Sequence, residues 1–180
     1  MYEVEVKVRA DHDAVRAVLR DAGATARGTV TQRDTYYNAP DRDFGETDEA
    51  LRVRHESGGE ERTLLTYKGP LVESESKTRE EHETEVADEA ELRAIVSGLG
   101  CPAAATVEKD RERYDLDGYT VTLDSVSGLG EFVEVEREAS ESEVEHVREG
   151  ARDLLRDLGL DPTAHVRTSY LGLLLDASEE

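Results

Sequence analysis

The sequence contains a single cysteine, Cys101, and no tryptophan among its 180 residues. One cysteine excludes an intrachain disulfide and any metal site built from several cysteines, and a small buried side chain is a commoner role for it than a nucleophile. The chain also lacks a run of about 18 apolar residues, which a transmembrane helix requires, and shows no apolar signal segment near its start. These absences predict a soluble, cytoplasmic protein without a thiol-based centre.

Basic residues are scarce, since 22 lysines and arginines stand against 43 acidic residues and the formal net charge at pH 7 is −21. A surface this negative disfavours binding to nucleic acids and to anionic membranes. The acidic residues are spread along the whole chain, and only four of the basic residues are lysines. This composition is typical of a halophilic protein, so an acidic surface does not by itself indicate a functional site.

Adaptation to salt predicts that the protein loses cooperative folding as potassium chloride is dialysed away. The Debye length falls from about 10 Å at 0.1 M salt to about 3 Å at 1 M, so concentrated salt screens the repulsion among surface carboxylates. We therefore expect the melting temperature to rise with potassium chloride concentration, as measured by thermal melts across a salt series. A melting temperature that is the same at every concentration would contradict this expectation.

No proline-rich, glycine-rich or low-complexity linker interrupts the chain, which predicts a single domain over residues 1–180. Four helices are indicated by capping residues and by apolar residues at helical spacing. The predicted helices run from Asp11 to Gly23, from Asp88 to Gly100, from Ser140 to Gly159, and through the segment SYLGLLL near the C-terminus.

Strand patterns occupy the segments between these helices. Eight strands are predicted, over residues 2–9, 27–38, 50–56, 61–68, 77–86, 105–115, 118–124 and 131–138. A strand beginning with Glu-x-Glu and followed by a helix recurs three times, which suggests a sheet assembled from related units.

Charged residues form rows along several of these strands. In the first strand, valines alternate with Glu3, Glu5 and Lys7. Because successive side chains of a strand point to opposite faces, the valines form one row and the charged residues another. The further rows are Arg52 and Arg54; Thr66 and Lys68; Lys77, Arg79, Glu81 and Glu83; Lys109, Arg111 and Arg113; and Glu134 and Glu136.

Apolar rows that helices can cover, with charged rows opposite, predict a closed eight-stranded antiparallel β-barrel of the α+β class with helices outside and a charged lumen. Isolated buried ions are costly, so the lumen charges must be balanced. They could pair with one another as a structural network. A polyanion bound together with a divalent metal explains the separate basic and acidic rows better, and oxygen ligands favour Mg²⁺ or Mn²⁺.

A set of motifs runs along the chain: Glu3-x-Glu5-x-Lys7, QRDTYYNAP, ALRVR, YKGP, KTREEHETEV, EKDRERY, LDSVSGLGEFVEVE and TSYLGLLL. Taken together, these segments resemble the CYTH superfamily, whose members are triphosphate tunnel metalloenzymes. The resemblance spans essentially the whole chain in the expected order. Within the superfamily the chain is most similar to the class IV adenylyl cyclases, and it is also similar to thiamine triphosphatases and tripolyphosphatases.

The resemblance implies roles for the charged rows. It implies that the ligands of the metal, or the close supports of those ligands, are Glu3, Glu5, Asp124, Glu134 and Glu136. As catalytic residues it implies Glu3, Glu5, Lys7 and Lys109. As residues that bind the triphosphate it implies Lys7, Arg52, Arg54, Lys68, Arg79, Lys109, Arg111 and Arg113. For Arg79, Glu81 and Glu83 the alternative is ion pairing within the tunnel, and Lys77 and Arg113 could equally be structural.

The remaining candidates are weaker. Asp34 could contact substrate or cap a turn, and Tyr36 and Tyr37 are expected in the core because strand aromatics usually lie there. The five histidines are scattered without ligand spacing and receive no catalytic role.

Three activities remain open, because the motifs separate them poorly. A class IV adenylyl cyclase converts ATP to cyclic AMP and pyrophosphate. A triphosphatase hydrolyses inorganic tripolyphosphate, thiamine triphosphate or a nucleoside triphosphate. A catalytically silent module binds polyphosphate without turnover. The resemblance to cyclases also suggests a homodimer.

Overall fold

The structure is a computed structural model that describes residues 1–72 and 75–178. Eight β-strands lie within those residues. They are β1 (Tyr2–Arg9), β2 (Thr25–Tyr37), β3 (Ala50–Ser57), β4 (Arg62–Leu71), β5 (Arg79–Glu85), β6 (Ala103–Leu116), β7 (Tyr119–Val126) and β8 (Gly130–Ala139). Each corresponds to a predicted strand, although β5 begins two residues later than predicted and β2 and β6 each begin two residues earlier.

The strands close into a barrel in the order β1-β5-β4-β3-β2-β6-β7-β8. Every neighbouring pair is antiparallel. β1 pairs with β8 along its whole length, from Tyr2 opposite Ala139 to Arg9 opposite Phe132, and closes the barrel through a short pairing with β5. The predicted α+β fold with a closed eight-stranded antiparallel barrel is confirmed.

Five α-helices lie in the described ranges. They are α1 (His12–Asp21), α2 (Phe44–Thr47), α3 (Glu89–Gly98), α4 (Val144–Asp157) and α5 (Tyr170–Ser178). The predicted caps are present, since Asp11 accepts a hydrogen bond from the backbone of α1 and Asp88 does the same for α3. α2 was not predicted, because four residues are too few to show a helical period. No helix in residues 1–72 and 75–178 has both the length and the apolarity needed to cross a membrane.

The main hydrophobic core lies outside the barrel wall. Val4, Val6 and Val8 point outward from β1 and pack in one cluster with side chains of α1 and α4, including the fully buried Leu19 and Leu155. Full burial of a valine or leucine side chain contributes about 1.5–3 kcal/mol. Because the valine row is held in this layer, the opposite row of β1 must face the lumen.

Two smaller clusters hold the other helices against the barrel. α3 packs through Leu92 and Val96 against β2 and β3. α5 packs through Tyr170, whose ring meets that of Phe132 edge-on with the ring centres 5.0 Å apart. The chain preceding α5 is also tied to β1, because the backbone N–H of Val166 donates to the carbonyl of Lys7 at 2.6 Å. These contacts bring the C-terminal segment to the lumen.

Candidate active site

The inward-facing side chains of the strands surround a cavity of about 590 Å³. The sequence-predicted site residues that line it are Glu3, Glu5, Arg52, Arg54, Lys68, Arg79, Lys109, Arg111, Arg113, Glu134 and Glu136. Lys77, Glu81 and Glu83 line it as well. Lys7 and Asp124 do not line it, and both are almost fully buried.

Three carboxylates meet in this cavity. One oxygen each from Glu3, Glu5 and Glu136 lies within 4.8 Å of the others. β1 contributes two of these residues on its inward face, and the register of the barrel places Glu136 of β8 directly opposite Glu5. Glu134, two residues earlier on β8, lies opposite Lys7 and is not a member of the cluster.

Without a bound cation, the three carboxylates repel one another when they are ionised. Burial, reinforced by the negative charge of Glu3, raises the pKa of Glu136 to about 8. A divalent cation among the three oxygens would remove this repulsion, because a bound cation favours the ionised form of its ligands. Oxygen ligands of this kind suit the hard cations Mg²⁺ and Mn²⁺. The donor set therefore fits a divalent ion.

Two lysines flank the carboxylate cluster. The Lys68 ammonium donates to Glu3 Oε1 at 3.0 Å and lies 2.6 Å from Glu81 Oε2. The Lys77 ammonium donates to Glu5 Oε1 at 2.9 Å. Lys77, whose role the sequence left open, therefore contacts a member of the cluster directly.

Two arginines are each fixed by a carboxylate in paired hydrogen bonds. Arg54 donates from Nε and Nη2 to Asp34 at 2.6 and 2.7 Å. Arg111 donates in the same way to Asp124, with both distances 2.6 Å, and also to Glu134 at 2.5 Å. Asp34 therefore holds an arginine rather than capping a turn. Asp124 and Glu134, both implied as metal ligands or supports, orient an arginine beside the cluster.

Another carboxylate, that of Glu56 in β3, accepts hydrogen bonds from several side chains. It is almost fully buried and accepts hydrogen bonds from Gln32 at 2.7 Å, Arg62 at 2.6 Å and Arg113 at 2.7 Å. Although burial opposes ionisation, these donors lower the pKa of Glu56 to about 2. Sequence reasoning missed both Glu56 and Gln32. Glu56 shares the inward face of β3 with the predicted arginines, so extending that row by one step would have included it.

The predicted residues near β5 form ion pairs and backbone contacts in the wall. Arg52 donates to Glu83 at 3.3 Å and lies 4.0 Å from Glu81. Arg79 donates to the carbonyl of Gly69 at 3.0 Å, which ties β5 to the end of β4. For Glu81 and Glu83, these contacts agree with the alternative role of ion pairing within the tunnel.

Lys7 and Lys109 lie against the ring of Tyr170, with their Nζ atoms 4.2 and 4.9 Å from the ring centre. The Lys7 ammonium donates to the carbonyl of Thr168 at 2.9 Å, and the Tyr170 hydroxyl donates to Asp124 at 2.9 Å. Burial lowers the pKa of Lys7 to about 7 and that of Lys109 to about 8. Lys109 lines the cavity, whereas Lys7, on the same face of β1 as Glu3 and Glu5, does not. Sequence reasoning gave Tyr170 no role beyond a place in a helix.

The site as a whole places carboxylates for a hard cation beside oriented guanidinium and ammonium groups. Charge-assisted hydrogen bonds from such groups are the usual protein contacts to phosphate oxygens. An arrangement of this kind can hold a polyanion and a divalent cation at the same time.

The family model of the CYTH domain matches residues 1–170. The chain belongs to the CYTH domain family. The resemblance inferred from the sequence motifs is thereby confirmed. Membership implies dependence on a divalent metal, which agrees with the cluster of Glu3, Glu5 and Glu136.

Relatives of this CYTH protein match it over nearly its whole length. It is 39% identical over 175 residues to the protein named "Putative adenylate cyclase MJ0240" of Methanocaldococcus jannaschii, covering 96% of this chain and 98% of the relative. Among solved structures, the PH1819 protein of Pyrococcus horikoshii is 38% identical, with a TM-score of 0.90 over 97% of this chain and 99% of that one. The PH1012 protein of the same organism is 27% identical, with a TM-score of 0.83 over 94% and 97%.

Proposed function

We propose that this CYTH protein is a metal-dependent enzyme that acts on a triphosphate inside the barrel, and that its reaction converts ATP to cyclic AMP and pyrophosphate. The observation that carries the proposal is the three-carboxylate cluster in a cavity that basic side chains also line. The name of the Methanocaldococcus jannaschii relative supports the choice of reaction. The basic side chains proposed to bind phosphate are Arg52, Arg54, Lys68, Arg79, Lys109, Arg111 and Arg113.

Glu3, Glu5 and Glu136 are the residues that would hold Mg²⁺ or Mn²⁺. When bound, the ion supplies positive charge and Lewis acidity at the phosphate oxygens. Asp124 and Glu134 act in this proposal as supports, because both hold Arg111 in place.

The arginines are positioned before the substrate arrives. Arg54 and Arg111 are locked by buried carboxylates, and a guanidinium carries five N–H donors, so each keeps donors beyond those used in its ion pairs. Donors fixed in advance stabilise developing charge without the cost of reorganisation. Lys109 lines the cavity beside them, and Lys7 stays a catalytic candidate whose ammonium uses one of its three donors on the carbonyl of Thr168.

In the proposed reaction the ribose 3′ oxygen attacks the α-phosphorus in line with the leaving group. A bond forms between that oxygen and the α-phosphorus, and the bond from the α-phosphorus to the bridging oxygen breaks. Pyrophosphate leaves with the electron pair, and the hydroxyl proton passes to solvent. Catalysis of this step depends mainly on alignment and on electrostatic stabilisation of the phosphate oxygens.

Hydrolysis of a triphosphate is the second candidate, and a second recess favours it. This recess, of about 510 Å³, is lined by Met1, Tyr2, Glu3, Glu81, His82, Glu83 and Glu138. Glu3, Glu81 and Glu83 border both the recess and the main cavity, so the recess adjoins the carboxylate end of the site, where a water molecule could be held. Water attacking the terminal phosphorus would then hydrolyse tripolyphosphate, thiamine triphosphate or a nucleoside triphosphate. The presence of all three cluster carboxylates argues against a silent binding module.

The setting of the enzyme is also a proposal. We expect it to act in the cytoplasm. We also expect it to have no nucleic acid or membrane partners, because of its strong negative charge. The resemblance to cyclases suggests a homodimer. Size-exclusion chromatography with light scattering measures the molar mass in solution and so tests this.

The proposed activity is tested by offering ATP, thiamine triphosphate and inorganic tripolyphosphate side by side, in high potassium chloride with Mg²⁺ or Mn²⁺. We expect cyclic AMP and pyrophosphate to form from ATP in equal amounts, and neither to form when a chelator removes the metal. Product identity is measured by chromatography against standards.

The other outcomes of this assay are equally distinct. Orthophosphate from tripolyphosphate without a cyclic product from ATP would replace the cyclase with the triphosphatase. Metal-dependent binding without any product would leave only the silent module.

A further inference from the structure

One of the two phenylalanines in the chain lies on a short helix at the cavity. Phe44 begins α2, is only partly buried, and lines the cavity. The guanidinium of Arg42 stacks on its ring, with the carbon atom 5.1 Å from the ring centre. Phe44 belongs to none of the hydrophobic clusters found among the described residues. A packing role therefore does not explain why it is there.

A second apolar wall comes from α5. Leu171 and Leu175, one helical turn apart, line the same cavity as Phe44. Leu171, Leu173 and Leu174 pack against the barrel as partly buried side chains, whereas Leu175 is 52% exposed. Among the large apolar side chains exposed in residues 1–72 and 75–178, Leu175 is the one that lines this cavity.

The two walls continue into the charged part of the lumen, because the cavity that they line also contains the proposed phosphate-binding residues. A substrate made only of phosphate groups would leave these apolar side chains in contact with water. A flat heterocyclic ring attached to the phosphates would bury them, and base stacking on an aromatic ring is favourable for rings of many kinds.

We propose that Phe44, Leu171 and Leu175 form a subsite for the heterocyclic ring of an organic triphosphate. This inference rests on the proposed function, because it requires the phosphates to occupy the lumen. It selects organic triphosphates over inorganic tripolyphosphate as substrates. The shared chemistry is a flat ring joined to the phosphate chain, as in ATP and in thiamine triphosphate.

The test compares ligands that share the phosphates but differ in the ring. A methylene-bridged ATP analogue, thiamine triphosphate and inorganic tripolyphosphate are titrated with Mg²⁺ into the full chain and into the Phe44→Ala and Leu175→Ala variants. We expect Phe44→Ala to weaken binding of at least one ring-bearing ligand about 10-fold and to leave tripolyphosphate binding unchanged. The ligand whose binding is weakened shows which ring the subsite accepts, that of ATP or that of thiamine triphosphate. Phe44→Tyr, which keeps an aromatic ring, should bind the ring-bearing ligand as tightly as the unmodified chain does.

Leu99→Ala is the matched control, because Leu99 is also an exposed leucine but follows α3 and does not line the cavity. It should change no affinity. Equal weakening of all three ligands in Phe44→Ala, or no weakening of any, would overturn the subsite while leaving triphosphate binding in place. Failure of the unmodified chain to bind any of the three ligands would instead overturn the proposed function and, with it, this inference.

Discussion

Replacing Glu5 or Glu136 by glutamine is expected to reduce turnover at least about 100-fold while the fold is retained. Each substitution removes one negative oxygen from the three-carboxylate cluster and keeps nearly the same shape. Loss of groups that merely orient a metal ligand costs 10–100-fold in affinity or activity, so loss of a ligand should cost at least as much. Excess Mn²⁺ should restore part of the activity. Kinetics titrated with metal, together with thermal melts, measure both effects.

Glu138→Gln provides the control, because Glu138 lies on the same strand and the same face as Glu136 but is exposed and outside the cluster. It should leave the metal dependence of turnover unchanged. If Glu5→Gln and Glu136→Gln unfold the protein without changing its metal dependence, the cluster is part of a structural network and the proposed metal site is wrong.

Replacing Arg111 by alanine is expected to destabilise the fold by about 3–5 kcal/mol. The substitution leaves Asp124 and Glu134 buried without the arginine that both now contact. Breaking a buried ion pair from one side costs this much because it strands an uncompensated charge. Urea unfolding at constant high salt measures the change in the free energy of unfolding.

Arg27→Ala is the comparison, since Arg27 forms an ion pair with Asp115 in which both side chains are about half exposed. Exposed pairs contribute less than about 1 kcal/mol. A loss of stability in Arg111→Ala no greater than in Arg27→Ala would show that Arg111 does not hold the two carboxylates, and its role would then be limited to substrate.

The lumen could be predicted from the sequence because its pattern is local. In β1 the valines and the charged residues alternate without interruption, and the structure packs Val4 and Val6 outside and directs Glu3 and Glu5 into the cavity. The alternation of a strand has a period of two, so one buried row fixes the direction of the other.

The partners of these side chains could not be predicted in the same way. Glu134 and Glu136 have the same parity, yet the register between β1 and β8 places one opposite Lys7 and the other opposite Glu5. That register depends on pairing between strands about 130 residues apart, which no local pattern records. For the same reason the sequence did not reveal that Glu56 collects Gln32, Arg62 and Arg113.

The C-terminal segment shows a further limit. The helical pattern of SYLGLLL predicted α5 but not the contacts of Tyr170 with Lys7 and Lys109, which depend on the chain returning to β1 at Val166. α2 carries Phe44 and was missed because it is short. The single domain over residues 1–180 and the adaptation to salt stay predictions.

The most direct test of the metal and triphosphate site is anomalous diffraction from crystals grown with Mn²⁺ and inorganic tripolyphosphate. The proposal predicts an anomalous peak in the barrel, about 2 Å from carboxylate oxygens of Glu3, Glu5 and Glu136. It also predicts phosphate oxygens within hydrogen-bonding distance of Lys109 and the lumen arginines. A lumen that keeps its Lys68–Glu3 and Lys77–Glu5 ion pairs, with manganese bound elsewhere or not at all, would contradict it.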